Sequence, residues 1–119
     1  MKKLKKVGFF NDLVHGYSTE PALSESKGKF FTVDLEKTIR YLDSGALLIS
    51  SPGIVFDQLC DEERIIGSLD ILTDGTWAWP SDLIYYLKHY KVELPKEFLE
   101  HMLKNDWKLN DFNIGELEL

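Results

Sequence analysis

The stretch Ser68–Pro80, SLDILTDGTWAWP, constrains this chain more than any other. Leu69, Ile71 and Thr73 alternate with their neighbours, Asp74-Gly75 follows, and Trp77 and Trp79 alternate again before Pro80. Period-two alternation on both sides of Asp-Gly is the pattern of a β-hairpin whose two central residues take positive φ. It predicts strands near Leu69–Thr73 and Thr76–Trp79, joined by Asp74 and Gly75. Pro80 ends the second strand, because it has no amide hydrogen to donate and its fixed φ suits the first turn of a helix. A helix is therefore expected from Pro80 or Ser81, with Leu83, Ile84, Leu87 and Tyr90 on one stripe. Trp77 and Trp79 share a strand face just before that helix, which is where core residues lie. Tyr85 and His89 are i, i+4 neighbours off the stripe. With Tyr86 they offer a half-exposed aromatic patch of the kind partner surfaces favour.

The rest of the chain supplies further elements. Pro95 opens a last helix with Phe98, Leu99, Met102 and Leu103 on one face. Upstream, TVDLEKTIRYLDSG reads as a helix capped by Thr32 or Asp34, with Leu35, Ile39 and Leu42 at i, i+4, i+7 and Gly45 as its stop. ALLISS has strand length, and Pro52-Gly53 is expected to end it. Ile54–Phe56 fits the continuation of a strand, and DEER fits a polar turn or one helical turn. Val7–Phe10 reads as a first strand. The turn-rich segment after it reads as a surface loop with one helical turn at Ala22–Ser26. Trp107, Phe112 and Ile114 in the tail either add an edge strand or drape over the core. The expected architecture is α+β: one domain over residues 1–119, with a small, mostly antiparallel sheet, about three helices packed on it, and residues 1–6 as a basic leader.

Charge then narrows the partners. The chain has 14 basic and 20 acidic residues, and four of the basic ones are Lys2, Lys3, Lys5 and Lys6. Behind that leader an acidic body remains, which repels nucleic acid and anionic lipid and attracts basic proteins. The leader is basic like a signal sequence, but Asn11 and Asp12 interrupt the apolar run well short of the about 7–15 residues a secretory segment needs. With a lone cysteine, Cys60, no disulfide can form within the chain, which fits a reducing compartment. The expectation is a cytoplasmic protein.

Catalytic patterns are missing. His15, His89, His101 and Cys60 have no metal-ligand spacing, so neither a metal nor any other cofactor is expected. DEER lacks calcium-loop spacing. There is no G-x-S-x-G elbow and no phosphate-binding glycine loop. His15-Gly16-Tyr17 lies in a loop, where functional residues concentrate, though a turn with Gly16 at positive φ is the favoured reading.

GFFNDLVHG and TDGTWAWPSDLIYYLKHYKVELPKEFLEHM together resemble a group of small bacterial proteins. These carry an early G-F-F/W-x-x-L-x-H-G stretch and a late D-G-x-W-x-W-P-x-D-L-x-Y-Y/H stretch. Trp77, Trp79, Pro80, Asp82, Leu83 and Tyr86 match the late one. The resemblance implies a common fold and assigns no catalytic residue. In overall type the chain is also similar to bacterial immunity proteins, which are short, acidic, often α+β and bind a cognate toxin. That likeness implies a non-enzymatic binder of a basic toxin, a nuclease for example. Its acids would be Asp57, Asp61, Glu62 and Glu63, and its aromatic anchors Tyr85, Tyr86 and His89. Two alternatives stand beside it: a small enzyme using His15 with Asp12 or Asp82, and a scaffold bound through the aromatic helix face.

Overall fold

A computed structural model describes residues 2–30 and 34–119. Four strands form one sheet: β2 (Lys5–Lys6), β3 (Ala46–Phe56), β4 (Ile65–Thr73) and β5 (Trp77–Pro80). Their order is β2-β5-β4-β3, with β2 parallel to β5 and the other two pairings antiparallel. A second, two-stranded parallel sheet joins β1 (Lys2–Lys3) to β6 (Leu117–Glu118). The helices are α1 (Leu23–Ser26), α2 (Leu35–Asp43), α3 (Asp82–Tyr90) and α4 (Lys96–Lys104). The fold is the α+β arrangement expected, with three nine-residue helices and one extra turn.

The β4–β5 hairpin sets the core. Thr73 pairs with Ala78 and Leu72 with Trp79. The two linking residues are therefore Gly75 and Thr76, one position later than Asp-Gly pairing predicts. Gly75 has φ +94, whereas Asp74 is not in the left-handed region. The reason lies in the Asp74 carboxylate, whose Oδ1 accepts from the amides of Thr76 at 2.9 Å and Trp77 at 2.7 Å. That side-chain turn replaces a positive φ at Asp74. The displacement moves each cross-strand partner by two residues, so every side chain keeps its face.

Trp77 and Trp79 point to one side of β5 and Ala78 to the other, and all three are buried. The tryptophan side carries the main core, with Tyr41, Leu42, Leu83, Tyr86, Leu87, Phe98 and Met102 from the three longer helices. Phe98 packs between the two indoles, with ring centroids 5.0 Å and 5.8 Å away. The Trp79 indole N–H donates to the Leu42 carbonyl at 3.1 Å, so its one polar atom is satisfied in the interior. The opposite side of the sheet carries Ile71 and Ala78 and is covered by Leu4, Phe9 and Leu117.

Several expectations are corrected. The first strands are the lysine segments, not Val7–Phe10. Leu4 between them is buried, and the amides of Lys5 and Val7 donate to Thr76 and Ala78. Paired lysines around buried Leu4 and Val7 can lie on a sheet edge with their charged ends in water. Pro52-Gly53 does not end β3. The strand runs through it with a register shift between Ser51 and Ile54. β3 is an edge strand, where a bulge and a missing donor are tolerated. Pro80 belongs to the end of β5, and α3 begins at Asp82 because the amide of Ser81 still donates to Asp70. Leu83, Leu87, Phe98 and Met102 are buried as expected, Ile84 and Leu99 are half-buried, and Leu103 is exposed. Asp34 caps α2 by accepting from the Lys37 amide, while Thr32, the other cap expected, lies outside the described residues.

Candidate functional site

The β3–β4 hairpin ends in a loop over residues 57–64, closed where the Asp57 amide donates to the Arg64 carbonyl at 2.9 Å. Three tyrosines of α3 fasten this loop. The hydroxyls of Tyr85 and Tyr90 donate to Asp57 Oδ2 at 2.7 Å and 2.6 Å. The Tyr86 hydroxyl donates to the Phe56 carbonyl and accepts from the Gln58 amide. Asp57 Oδ1 accepts from the Leu59 amide at 2.8 Å. Burial alone would raise the Asp57 pKa. The hydroxyls of Tyr90 and Tyr85, the Leu59 amide and the charge of Arg64 outweigh it and hold the carboxyl below its ordinary value.

This geometry divides the residues expected to meet a partner. Asp57 is 3% exposed and Tyr86 0%, so neither presents its side chain outward, and both are corrected from contacts to anchors. A carboxylate that takes two hydroxyls and an amide is committed to its own fold. Asp61, Glu62 and Glu63 are exposed on the loop the anchors hold. His89 is exposed and Tyr85 half-buried, their rings 4.4 Å apart. Phe56, Ile54 and Ile65 flank the loop as exposed apolar residues of the hairpin.

His15 occupies a separate place. The loop that carries it folds back through Leu13 N to Phe10 O and Gly16 N to Leu13 O, both 3.0 Å. Gly16 is not at positive φ as expected. It is required because a Cβ there would lie 1.8 Å from the Phe10 carbonyl oxygen. Of the two carboxylates expected near His15, Asp12 is used elsewhere, accepting from the Leu23 amide at 2.8 Å. Asp82 meets it: Asp82 Oδ2 lies 2.8 Å from His15 Nε2, with the carboxylate side chain 1% exposed.

A second histidine–aspartate contact was not foreseen. His101 Nε2 lies 3.0 Å from Asp74 Oδ2, to which the buried Tyr41 hydroxyl also donates. Burial, then that hydrogen bond, pushes the Tyr41 pKa far up. With both Asp74 oxygens occupied, the group ties the hairpin turn to α2 and α4. The only signal in the sequence was the Asp-Gly pair itself.

Among the described residues there is no cluster of three His, Cys, Asp or Glu able to hold a metal ion, and no helix long and apolar enough to cross a membrane. Comparison with protein-family models, curated proteins and solved structures gives no significant match to this chain.

Proposed function

We propose that this protein is a non-enzymatic binder of the immunity-protein type, which holds a basic protein partner, a toxin, against the tip of the β3–β4 hairpin. The observation that carries this reading is the clamped acidic loop. Tyr85, Tyr86 and Tyr90 fix residues 56–58 by side-chain hydrogen bonds, while Asp61, Glu62 and Glu63 stay in solvent. A loop ordered on folding does not have to be ordered again on binding, which favours affinity. Its acids steer a basic partner into contact. Exposed Ile54, Phe56 and Ile65 beside them supply apolar area, which charges alone cannot. A nuclease fits this description, since its phosphate-binding cleft is basic.

The test is association kinetics against the product of the gene directly upstream, at low and high salt. Charge reversal at Asp61, Glu62 and Glu63 together should slow association strongly at low salt and much less at 1 M, where the Debye length is about 3 Å. Stability should barely change, because exposed charges contribute little to folding. An on-rate indifferent to salt and to the triple reversal would sink the reading.

A further inference from the structure

The same β3–β4 hairpin, through Ile54 and Phe56 among others, forms one wall of a groove of about 260 Å³. The wall is Pro52, Ile54, Val55 and Phe56, and the opposite side is Leu13 and Val14 of the His15 loop. Val14 is fully exposed at 100% and Ile54 at 58%, so the rim is apolar as well as the interior. His15 and Asp82 supply the acid–base groups in this apolar lining. Neither Asp82 oxygen, nor His15 Nε2, has a well-aligned hydrogen bond among the described residues, although the two groups touch at 2.8 Å.

We infer that this groove is a binding site for a small neutral apolar molecule carrying one hydroxyl, an alcohol or a phenol. The size follows from the volume. A dry cavity of about 150 Å³ accommodates benzene, and this groove is larger, so it takes a ring with a short alkyl chain. It lies just below the roughly 300–1,000 Å³ of most ligand sites, which favours a small molecule. The head group follows from the pair. Asp82 lines the groove beside His15, and neither oxygen of its buried carboxylate has an aligned hydrogen bond. A hydroxyl donates to such an atom. A carboxylate on the ligand would be repelled by buried Asp82, and a purely apolar molecule would leave the Asp82 oxygens unpaired.

The site does not depend on the toxin-binding reading, and its test needs no protein partner. The full chain is titrated with 4-propylphenol by calorimetry and by amide NMR shifts. The expected result is saturable one-site binding, with shifts at Leu13–Gly16 and Ile54–Phe56. The methyl ether 4-propylanisole should bind about tenfold more weakly, equal to about 1.4 kcal/mol, and 4-propylbenzoate more weakly still. Asp82→Leu should bind the phenol and the ether equally. Because that variant breaks the buried contact with His15, Ile54→Trp is the second probe. It fills the groove from an exposed position and should abolish binding in a folded protein. No saturable binding of the phenol, equal affinity for its ether in the native chain, or undiminished binding to Ile54→Trp would overturn the inference.

Discussion

The Tyr85 hydroxyl reaches Asp57 Oδ2 at 2.7 Å across 28 residues of chain, and Tyr90 reaches the same oxygen at 2.6 Å. These two bonds join a helix selected for core packing to a loop rich in charge. They turn the residue that looked like the first acid of a binding patch into its foundation.

Removing the donors tests that foundation. Tyr85→Phe and Tyr90→Phe should each lower stability by about 0.5–1.5 kcal/mol, the usual net value of one hydrogen bond. The double variant should lose more than the sum, because the second loss strips the buried Oδ2 of its last side-chain donor. Urea unfolding measures both. Amide exchange at Gln58 and Leu59 should accelerate while exchange in α3 stays slow.

The same cluster fixes a pH dependence. Asp57 titrates below its ordinary 3.8 in the folded state. A depressed carboxyl contributes stability that is complete above the unfolded value and is lost as pH falls through the folded one. The unfolding midpoint should therefore drop in the acid limb below about 3.8. Asp57→Asn should remove this group's share of that limb. Tyr90 shows the opposite sign. Its hydrogen bond to Asp57, then burial, pushes its pKa from 10.0 up to about 12. Its contribution is whole below 10 and is lost as pH rises through 12. Ultraviolet titration should find a late-ionising tyrosine that returns toward normal in Asp57→Asn.

Gly75→Val should destabilise the fold by more than about 1 kcal/mol. Two penalties act at once. The residue has φ +94, and a Cβ there would stand 2.9 Å from the Phe112 ring. A thermal midpoint equal to that of the native chain would contradict the turn.

Leu87→Ala should cost about 2–5 kcal/mol, since the side chain is fully buried beneath the sheet's tryptophan face. Leu103→Ala should stay within about 0.5 kcal/mol, because that leucine is 62% exposed. Equal losses for the two in chemical denaturation would show the α4 phase to be wrong.

The sequence by itself determined what local torsion and periodicity decide. The β4–β5 hairpin, the cap at Asp34, the helices after Pro80 and Pro95, and the burial of Trp77, Trp79, Leu83, Leu87, Phe98 and Met102 were all legible in it. Each rests on residues a few positions apart, where φ, donor count and side-chain direction act directly. Tertiary structure decided the rest. The lysine segments became strands because β5 and β6 offered them edges. β3 passed through Pro52-Gly53 because it lies at the rim of its sheet, which no local pattern reveals. Tyr86 and Asp57 went inside because each found its partners about 30 residues away. His15 met Asp82 rather than Asp12 for the same reason: the nearer carboxylate was already taken by the Leu23 amide. Which of several polar side chains is buried depends on which distant groups can satisfy it, and that information exists only once the chain is packed.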